Sequence, residues 1–323
     1  MDLNRKTAYE ILLDVEKNDA YSNFAINHFV KKNEPDKEAF VRELVYGVLE
    51  NKILLDYYLD ALIPSGVKKV KKQELTTNIY LMEVEAKRVA KTCEPGQFVI
   101  VRMDSEGERI PLTICDYNRE KGTITIVFQT VGAGTKMMAQ LEEGEYFHDF
   151  VGPLGRPSEL VEQPLEEVKS KKILFVAGGV GAAPVYPQVK WLHEHGIAAD
   201  VIVGSKTKDL LILEKEMESV AGNLYVTTDD GSYGRSGMVT QTIKDLVAEG
   251  KKYDLCIAIG PMIMMKFVCL LTKELEIPTV VSLNPIMVDG TGMCGACRVT
   301  VGGKVKFACV DGPDFDGHKV DWD

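Results

Sequence analysis

The sequence predicts a multidomain protein in which a small α-helical N-terminal segment precedes an antiparallel β-barrel, a parallel α/β domain and a short cysteine-rich tail. Three changes of pattern support this division. Apolar residues keep helical spacing in the first 66 residues, short β-rich runs follow from residue 74, and strands alternate with helices from residue 172. A chain of 323 residues is also too long for one ordinary hydrophobic core.

The composition excludes several classes of protein. With 45% hydrophobic and 27% charged residues, the chain has the balance of a soluble globular protein, and no apolar run reaches the ~20 residues that a membrane span needs. The N-terminus lacks an apolar signal core, so we expect a cytoplasmic protein. Seven cysteines, an odd number, then favour free thiols and metal ligation over a disulfide framework. The net charge of −10 argues against non-specific binding of nucleic acid by the whole chain.

The N-terminal segment predicts four short helices. Three of them have apolar residues at helical spacing, and Leu54, Tyr58 and Leu62 indicate the fourth. Asn4 and Asp36 are candidates to cap two of the helices. The apolar positions of the first three helices are Ala8, Ile11, Leu12 and Val15, then Ala25, Phe29 and Val30, then Phe40, Leu44, Val45 and Val48.

The two sheets are predicted from residue 68 onwards. The basic run at 68–72 is a connector or the edge of the next element. Gly-containing turns separate short strands at 79–84, 97–101 and 123–128, which indicates a small antiparallel barrel that extends to about residue 155. Compact apolar strands with helical stretches between them then indicate a mostly parallel sheet. These strands are Ile173–Ala177, Asp200–Gly204, Leu224–Thr228, Leu255–Ile259 and Thr279–Leu283.

The tail carries the strongest chemical signal, a D-x4-C-x2-C run from Asp289 to Cys297. Plant-type two-iron clusters use a C-x4-C-x2-C run with a distant fourth cysteine. Here a cysteine follows twelve positions on, so the candidate metal ligands are Asp289, Cys294, Cys297 and Cys309. Glycines at 290, 292 and 295 let the backbone fold tightly and point amides at sulfur, while a carboxylate, as a harder ligand, would alter the redox potential. The alternatives are a zinc site and a Gly-rich turn with incidental cysteines.

The parallel α/β half has Gly-rich turns where strands end. Glycine lets a backbone approach a pyrophosphate, and a following helix N-terminus offers free amides. Pro184 and Pro187 suit a first helical turn, and Gly196 suits the end of that helix. The alternative is an ordinary strand–helix turn. The candidate nucleotide-binding residues are Gly178, Gly179, Gly181 and Pro184, then Asp229, Asp230 and Gly231, then Gly260, Pro261 and Met262.

The barrel half also has candidate cofactor-binding residues. An arginine can pair with a flavin pyrophosphate, a hydroxyl can hydrogen-bond the isoalloxazine edge, and glycines before a helix suit a phosphate. Residues 152–155, Gly-Pro-Leu-Gly, predict a tight turn. Each motif alone is equally compatible with an ordinary barrel turn. The candidates are Arg109, Pro111, Leu112, Thr113, Gln129, Gly134 and Thr135.

As a set, these motifs resemble the ferredoxin-reductase-like electron-transfer subunits. Within that group the chain is similar to the electron-transfer subunit of dihydroorotate dehydrogenase and to the small (alpha) subunit of NADH-dependent reduced ferredoxin:NADP oxidoreductase, or sulfide dehydrogenase. The resemblance covers residues 72–323. It implies a FAD-binding β-barrel at 67–160, an NAD(P)-binding α/β domain at 170–285 and a [2Fe–2S] tail at 286–323. The motifs that carry it lie at 109–113, 134–135, 152–155, 178–184, 228–234, 260–265 and in the cysteine tail.

Asp289 distinguishes the two relatives. The dihydroorotate subunit carries four cysteines, whereas an aspartate in first place resembles the ferredoxin:NADP oxidoreductase subunit. That resemblance implies hydride exchange between NAD(P)H and FAD, relay of single electrons through the cluster, and flavin-based electron bifurcation. It also implies a larger partner that resembles the glutamate synthase small subunit, carries another FAD and four-iron clusters, and connects to ferredoxin. The chemistry is then on FAD rather than on a catalytic side chain. The alternative in this class is the dihydroorotate dehydrogenase subunit.

The first 66 residues resemble the start of the NusB-type domain of rRNA cytosine-5 methyltransferases. The resemblance lies in the runs NRKTAYEILLDVEK, AYSNFAIN and AFVRELVYGVLENKILLDYYLD. It implies an alternative of another class, an RNA-binding protein. The segment covers about half of such a domain and has more acidic than basic residues, so we expect that it does not bind RNA.

Overall fold

The computed structural model of the chain describes residues 2–18, 22–51 and 68–322. The chain divides into two compact units, Met1–Ser65 and Gly66–Asp323. The fourth helix predicted around Leu54–Leu62 lies outside the described residues. None of the helices among the described residues has both the length and the hydropathy that a membrane span requires.

The N-terminal unit contains three described helices, α1 (Leu3–Asn18), α2 (Ser22–Asn33) and α3 (Glu38–Glu50). They form because apolar residues recur every three or four positions and face a common core. That core buries Ala8, Ile11, Ala25, Ile26, Val41 and Val45. Phe40, which the helical spacing placed on the apolar face, is instead 39% exposed.

The predicted helix caps of this unit are wrong. Asn4 lies inside α1, and its Oδ1 accepts the backbone N–H of Lys37, the residue before α3, at 3.1 Å. Asp2 occupies the start of α1, where its Oδ1 accepts the N–H of Arg5 at 3.0 Å. Because α3 begins after Lys37, Asp36 is one position too early to cap it. The long-range contact of Asn4 satisfies a helix-terminal amide that local sequence rules assign to a neighbour.

The second unit begins with a six-stranded antiparallel sheet in the order β1-β2-β5-β4-β3-β6. The basic run at 68–72 is part of its edge strand, and residues 152–154 continue its last strand rather than forming the predicted tight turn. Two helices, α4 (Lys87–Thr92) and α5 (Ala133–Gln140), connect strands of this sheet. The strands are β1 (Lys68–Thr76), β2 (Ile79–Glu85), β3 (Phe98–Arg102), β4 (Ile110–Asn118), β5 (Thr123–Gln129) and β6 (Asp149–Leu154).

The parallel domain is a seven-stranded sheet in the order β10-β9-β8-β7-β11-β12-β15, whose central strand β7 is buried along its whole length. Its strands are β7 (Ile173–Gly178), β8 (Asp200–Ser205), β9 (Asn223–Thr228), β10 (Arg235–Ser236), β11 (Leu255–Ile259), β12 (Thr279–Ser282) and β15 (Asp314–Asp316). The connecting helices are α6 (Glu159–Glu162), α7 (Leu165–Lys169), α8 (Ala182–Glu194), α9 (Glu214–Val220), α10 (Val239–Ala248) and α11 (Met262–Glu274).

The strand order creates a topological switch point. From β7 the chain builds outward through β8 and β9 on one side, then returns to place β11 and β12 on the other side. In open α/β sheets, ligands bind at the carboxyl ends of the strands beside such a reversal. The expected ligand position therefore lies between the ends of β7 and β11.

The tail contributes to this sheet. A hairpin of β13 (Arg298–Val301) and β14 (Lys304–Phe307) leads into the short helix α12 (Ala308–Asp311), and β15 then pairs antiparallel with β12. This pairing was not predicted. Pro187 also differs from its prediction, because it lies in the second turn of α8 rather than the first. The predicted fold class, helices followed by a barrel, a parallel sheet and a tail, is otherwise confirmed.

Candidate functional site

Two glycine turns touch at the switch point. A β-carbon on Gly260, just after β11, would lie 3.0 Å from the Cα of Gly178 at the end of β7. A β-carbon on Gly181 would collide with the backbone of Ile259, and Gly179 has a φ of +54°. Only glycine fits so close an approach of two backbones. At Gly179, just before α8, a β-carbon would meet no atom within 4 Å, so the backbone there is open to a pyrophosphate, whereas the side chain of Met264 packs over Gly178 and Gly260.

The other candidates of this domain border the same edge of the sheet. Pro184 lies in the first turn of α8, and Met262, the first residue of α11, is 67% exposed beside Pro261. Asp229 and Asp230 follow β9, which β8 separates from β7. The Oδ1 of Asp230 accepts the N–H of Ser232 at 2.9 Å, and hydrogen bonds from Ser232 lower the pKa of this carboxyl. Asp230 thus shapes the loop that contains Gly231.

The barrel candidates gather at β4 and at the start of α5. Pro111, Leu112 and Thr113 lie in β4, with Arg109 just before it, and Gln129 ends β5 four residues before α5 begins. The guanidinium of Arg109 lies 3.8 Å from Asp149, and the arginine side chain is one-third exposed. Thr135 faces its own helix start, because its hydroxyl accepts the N–H groups of Val131 and Gly132, both at 3.0 Å.

Three charged residues of this region were missed by sequence reasoning. Glu108 accepts the N–H of Gly134 at 3.1 Å, and Asp149 lies 2.6 Å from the Nε of Arg102. Arg102 and Asp149 are both largely buried and sit opposite each other on β3 and β6. No local pattern marks these pairs, since each joins residues more than 25 positions apart.

In the tail, Asp289 hydrogen-bonds two backbone amides of the segment 289–297, which we call the candidate cluster loop. Its Oδ1 accepts the N–H of Thr291 at 2.8 Å, and its Oδ2 accepts the N–H of Cys294 at 2.7 Å. Burial alone would raise the pKa of Asp289, but these backbone hydrogen bonds lower it overall, so the carboxylate is ionised at neutral pH. The first two candidate ligands are thereby held together by the backbone.

The other two candidate ligands form a second pair. The Sγ atoms of Cys297 and Cys309 lie 3.1 Å apart, and both residues are buried, whereas Cys294 is exposed. Within residues 2–18, 22–51 and 68–322, no three His, Cys, Asp or Glu side chains converge to hold a single metal ion. A two-iron cluster takes two protein ligands on each iron. Two separate pairs, made of three thiols and one carboxylate, fit that requirement.

The candidate cluster loop packs directly on the barrel. A β-carbon on Gly290 would lie 2.7 Å from the Cδ1 of Leu154 and 2.8 Å from the Cδ1 of Ile100, and its φ is +73°. Ile100 in β3 is paired with Pro111 in β4. Strand β3 therefore lies between Gly290, the residue after Asp289, and β4, which contains candidate flavin-binding residues. The structure brings these two candidate sites together.

Three protein-family models match parts of the chain. Residues 284–321 match the iron–sulfur cluster binding domain of dihydroorotate dehydrogenase B, and residues 175–270 match the oxidoreductase NAD-binding domain. Residues 2–84 match the NusB family. That match runs beyond the N-terminal unit and ends in β2, a strand of the barrel. The chain therefore has an NAD-binding domain and an iron–sulfur cluster binding domain.

Two curated relatives align with most of this chain. A Clostridium beijerinckii protein described as uncharacterized, in the adh 3' region, is 68% identical over 79% of this chain and 87% of its own length. A homologue of the dihydroorotate dehydrogenase B (NAD(+)) electron transfer subunit from Thermotoga maritima is 47% identical, over 79% of this chain and 87% of the relative.

A solved structure of similar fold comes from the NADH-dependent reduced ferredoxin-NADP oxidoreductase, studied for flavin-based electron bifurcation. It is 45% identical, with a TM-score of 0.71, and the match covers 79% of this chain and 90% of that chain. The ferredoxin-reductase-like resemblance is thereby confirmed. The chain belongs to the oxidoreductase family of dihydroorotate dehydrogenase B electron transfer subunits and their homologues.

Proposed function

We propose that this chain exchanges electrons between a nicotinamide cofactor and a larger redox partner, with FAD on the barrel and a [2Fe–2S] cluster on the tail. A bound flavin can accept two electrons as a hydride and release them singly, which is the conversion needed between a nicotinamide and an iron–sulfur cluster. In this proposal, residues 67–160 bind FAD, residues 170–285 bind NAD(P)(H) and residues 286–323 bind the cluster.

The packing of Gly290 against Ile100 is the observation that carries the proposal. It seats the candidate cluster loop on the strand that pairs with Pro111. A relay requires its electron carriers to be close, and this contact supports the proposal because Ile100 and Pro111 are paired on adjacent strands of one antiparallel sheet. Ile100 and Leu154 also line the contact with hydrocarbon, which excludes water from it.

On the nucleotide side, the chain's own residues hold the cofactor without reacting. Gly178, Gly179 and Gly181 let the backbone approach a pyrophosphate, whose charge meets the N-terminus of α8 near Pro184. The turn formed by Gly260, Pro261 and Met262 closes the other side of the switch point. Asp229, Asp230 and Gly231 border the site beyond β8.

On the barrel side, Arg109 supplies charge-assisted hydrogen bonds to a flavin pyrophosphate, and the amides around Gly134 and Thr135 add neutral ones. Thr113 offers a hydroxyl to the ring edge. The proposed flavin-binding set also includes the backbone at Pro111 and Leu112 and the side chain of Gln129.

For the cluster, we assign Asp289 and Cys294 to one iron and Cys297 and Cys309 to the other, following the two pairs described above. The carboxylate of Asp289 has lone pairs left over after accepting two amide hydrogens, so it can ligate iron and still shape the loop.

The exposed edge of this loop suits a partner subunit. Met293, beside Cys294, is 84% exposed, and Ile286 is 80% exposed. Exposed apolar side chains beside a redox centre mark a surface that another protein covers. We propose that this partner is a larger flavin- and four-iron-cluster subunit resembling the glutamate synthase small subunit, through which ferredoxin is reached. The alternative partner is a dihydroorotate dehydrogenase, as the names of relatives indicate. Identifying the protein that co-purifies with the chain distinguishes the two.

The proposal is tested by cofactor analysis of the purified chain. We expect released FAD, two irons per chain and no zinc. Cys297→Ala should abolish iron binding, whereas Cys93→Ala, which removes a buried thiol of the barrel core, should leave the iron content unchanged. Asp289→Cys should keep the cluster and shift its redox potential. Zinc in place of iron, or FMN in place of FAD, would contradict the assignment.

A further inference from the structure

A carboxylate of the chain itself occupies the start of α5. The Oε1 of Glu108 accepts the backbone N–H of Gly134 at 3.1 Å, and it would lie 2.7 Å from a β-carbon on Gly134 and 3.5 Å from one on Gly132. Glu108 thus sits over the glycines that open this eight-residue helix. An anion at a helix N-terminus is stabilised by the free amides and by the helix dipole.

This position coincides with the place proposed for the flavin pyrophosphate. Arg109, the neighbouring residue in sequence, has a partly exposed guanidinium, and Asp149 is held closely by Arg102 at 2.6 Å and only loosely by Arg109 at 3.8 Å. The arginine is therefore available to a phosphate while the Gly134 amide is already engaged. Two anions cannot share one N–H, and a carboxylate beside a pyrophosphate is a repulsive pair.

We infer that Glu108 is an internal substitute for the flavin phosphate, which must leave the Gly134 amide when FAD binds and so weakens FAD affinity. The inference rests on the proposed flavin site. Glu108 is exposed, so its contact with the helix start is in the weak range of about 0.3–1 kcal/mol. Its removal should tighten FAD binding by about two- to fivefold, which is that range converted to a ratio of dissociation constants.

The test compares Glu108→Ala and Glu108→Gln with wild type in the flavin-free full-length chain. FAD and riboflavin are titrated separately, because riboflavin has the ring but no phosphate. The matched control is Glu106→Gln, which removes the same charge from an exposed position in the same loop. We expect FAD to bind about two- to fivefold more tightly to both Glu108 variants, with riboflavin binding unchanged and the control equal to wild type.

Hydrogen exchange gives a second readout that needs no flavin. In the flavin-free chain the Gly134 amide should exchange faster in Glu108→Ala than in wild type, and Glu106→Gln should leave it unchanged. If FAD binds wild type and the Glu108 variants with equal affinity, or binds the variants more weakly, Glu108 is not a phosphate substitute. If wild type binds no FAD at all, the flavin site itself is refuted, and the inference with it.

Discussion

The Cδ1 of Ile100 lies 2.8 Å from where a β-carbon on Gly290 would be, so the candidate cluster loop rests on the barrel with no room for a side chain. Leu154 closes the contact from β6 at 2.7 Å. This packing fixes the position of Asp289, the preceding residue, relative to β3 and β4.

Gly290→Ala should therefore lower the iron content of the purified protein. The new methyl group must displace Ile100 or Leu154, in addition to the cost of a left-handed φ of +73° for an L-residue. The control is Gly303→Ala in the β13–β14 turn, which has nearly the same φ, +72°, but no atom within 4 Å of the new β-carbon. Iron analysis checks both variants. Equal iron contents would show that the packing of the loop on the barrel does not position the cluster.

Arg109→Ala should weaken FAD retention. A hydrogen bond to a charged group contributes about 1.5–3 kcal/mol, so the dissociation constant should rise by about ten- to a hundredfold. Arg88→Ala removes an exposed arginine from α4 and serves as the control. Flavin fluorescence measures the affinity. Loss of affinity in both variants, or in neither, would remove Arg109 from the flavin site.

The sequence predicted the elements that depend on local chemistry. The Gly-rich turn at 178–181 and the turn at 260–262 both lie at strand ends of the sheet as expected, because parallel strands present their carboxyl ends at one edge. The strand order, and hence the contact between Gly178 and Gly260, depends on packing that no local pattern encodes.

Long-range polar contacts were not predictable for the same reason. Glu108 reaches Gly134 across 26 positions, and Asn4 reaches Lys37 across 33. Each side chain has many possible partners along the sequence, and the fold determines which of them lies within hydrogen-bonding distance. The spacing of Asp289 and the three cysteines indicated the candidate ligands, but it did not indicate which of them lie together or that one pair is buried.

Asp314 should make stability depend on pH. It is opposite Ser282 where β15 joins β12, and its Oδ1 is buried without a hydrogen-bond partner. Burial raises the pKa of Asp314 to about 7, a hydrogen bond from Ser282 acts in the opposite direction, and Glu159 adds to the rise. Because this pKa is higher in the folded than in the unfolded chain, the folded state binds the proton more tightly. Ionisation of Asp314 should therefore destabilise the fold progressively from about pH 4 to pH 7.

Asp314→Asn removes this titration. Between pH 4 and pH 7, the free energy of unfolding of the variant should rise relative to that of wild type by several kcal/mol, at about 1.4 kcal/mol for each unit by which folding raises the pKa. Above pH 7 the difference should stay constant. Asp316→Asn, on the same strand but exposed, is the control. Urea unfolding at pH 5 and pH 8 measures the difference. A constant difference between Asp314→Asn and wild type across this range would show that Asp314 does not titrate there.

Deletion of residues 1–66 should leave FAD content, iron content and NADH-dependent dye reduction nearly unchanged. Every candidate site residue lies beyond residue 100, within the compact unit that begins at Gly66. Full-length and truncated proteins are assayed side by side, and RNA binding by the full-length chain is measured at physiological salt. We expect weak RNA binding, because phosphate contact needs a basic surplus that this segment lacks. A large loss of NADH oxidation on truncation, or tight and salt-resistant binding of rRNA by the full-length chain, would show that residues 1–66 contribute to function.

We expect the flavin and the cluster to exchange electrons within this one chain. An anaerobic experiment tests it by adding NADH to the oxidised protein and NAD⁺ to the dithionite-reduced protein, while flavin absorbance and the electron paramagnetic resonance signal of the cluster are followed together. Both signals should change in at least one direction, and the cluster signal of the flavin-free chain should not change. A flavin that responds to the nicotinamide in both directions while the cluster signal stays constant would contradict it.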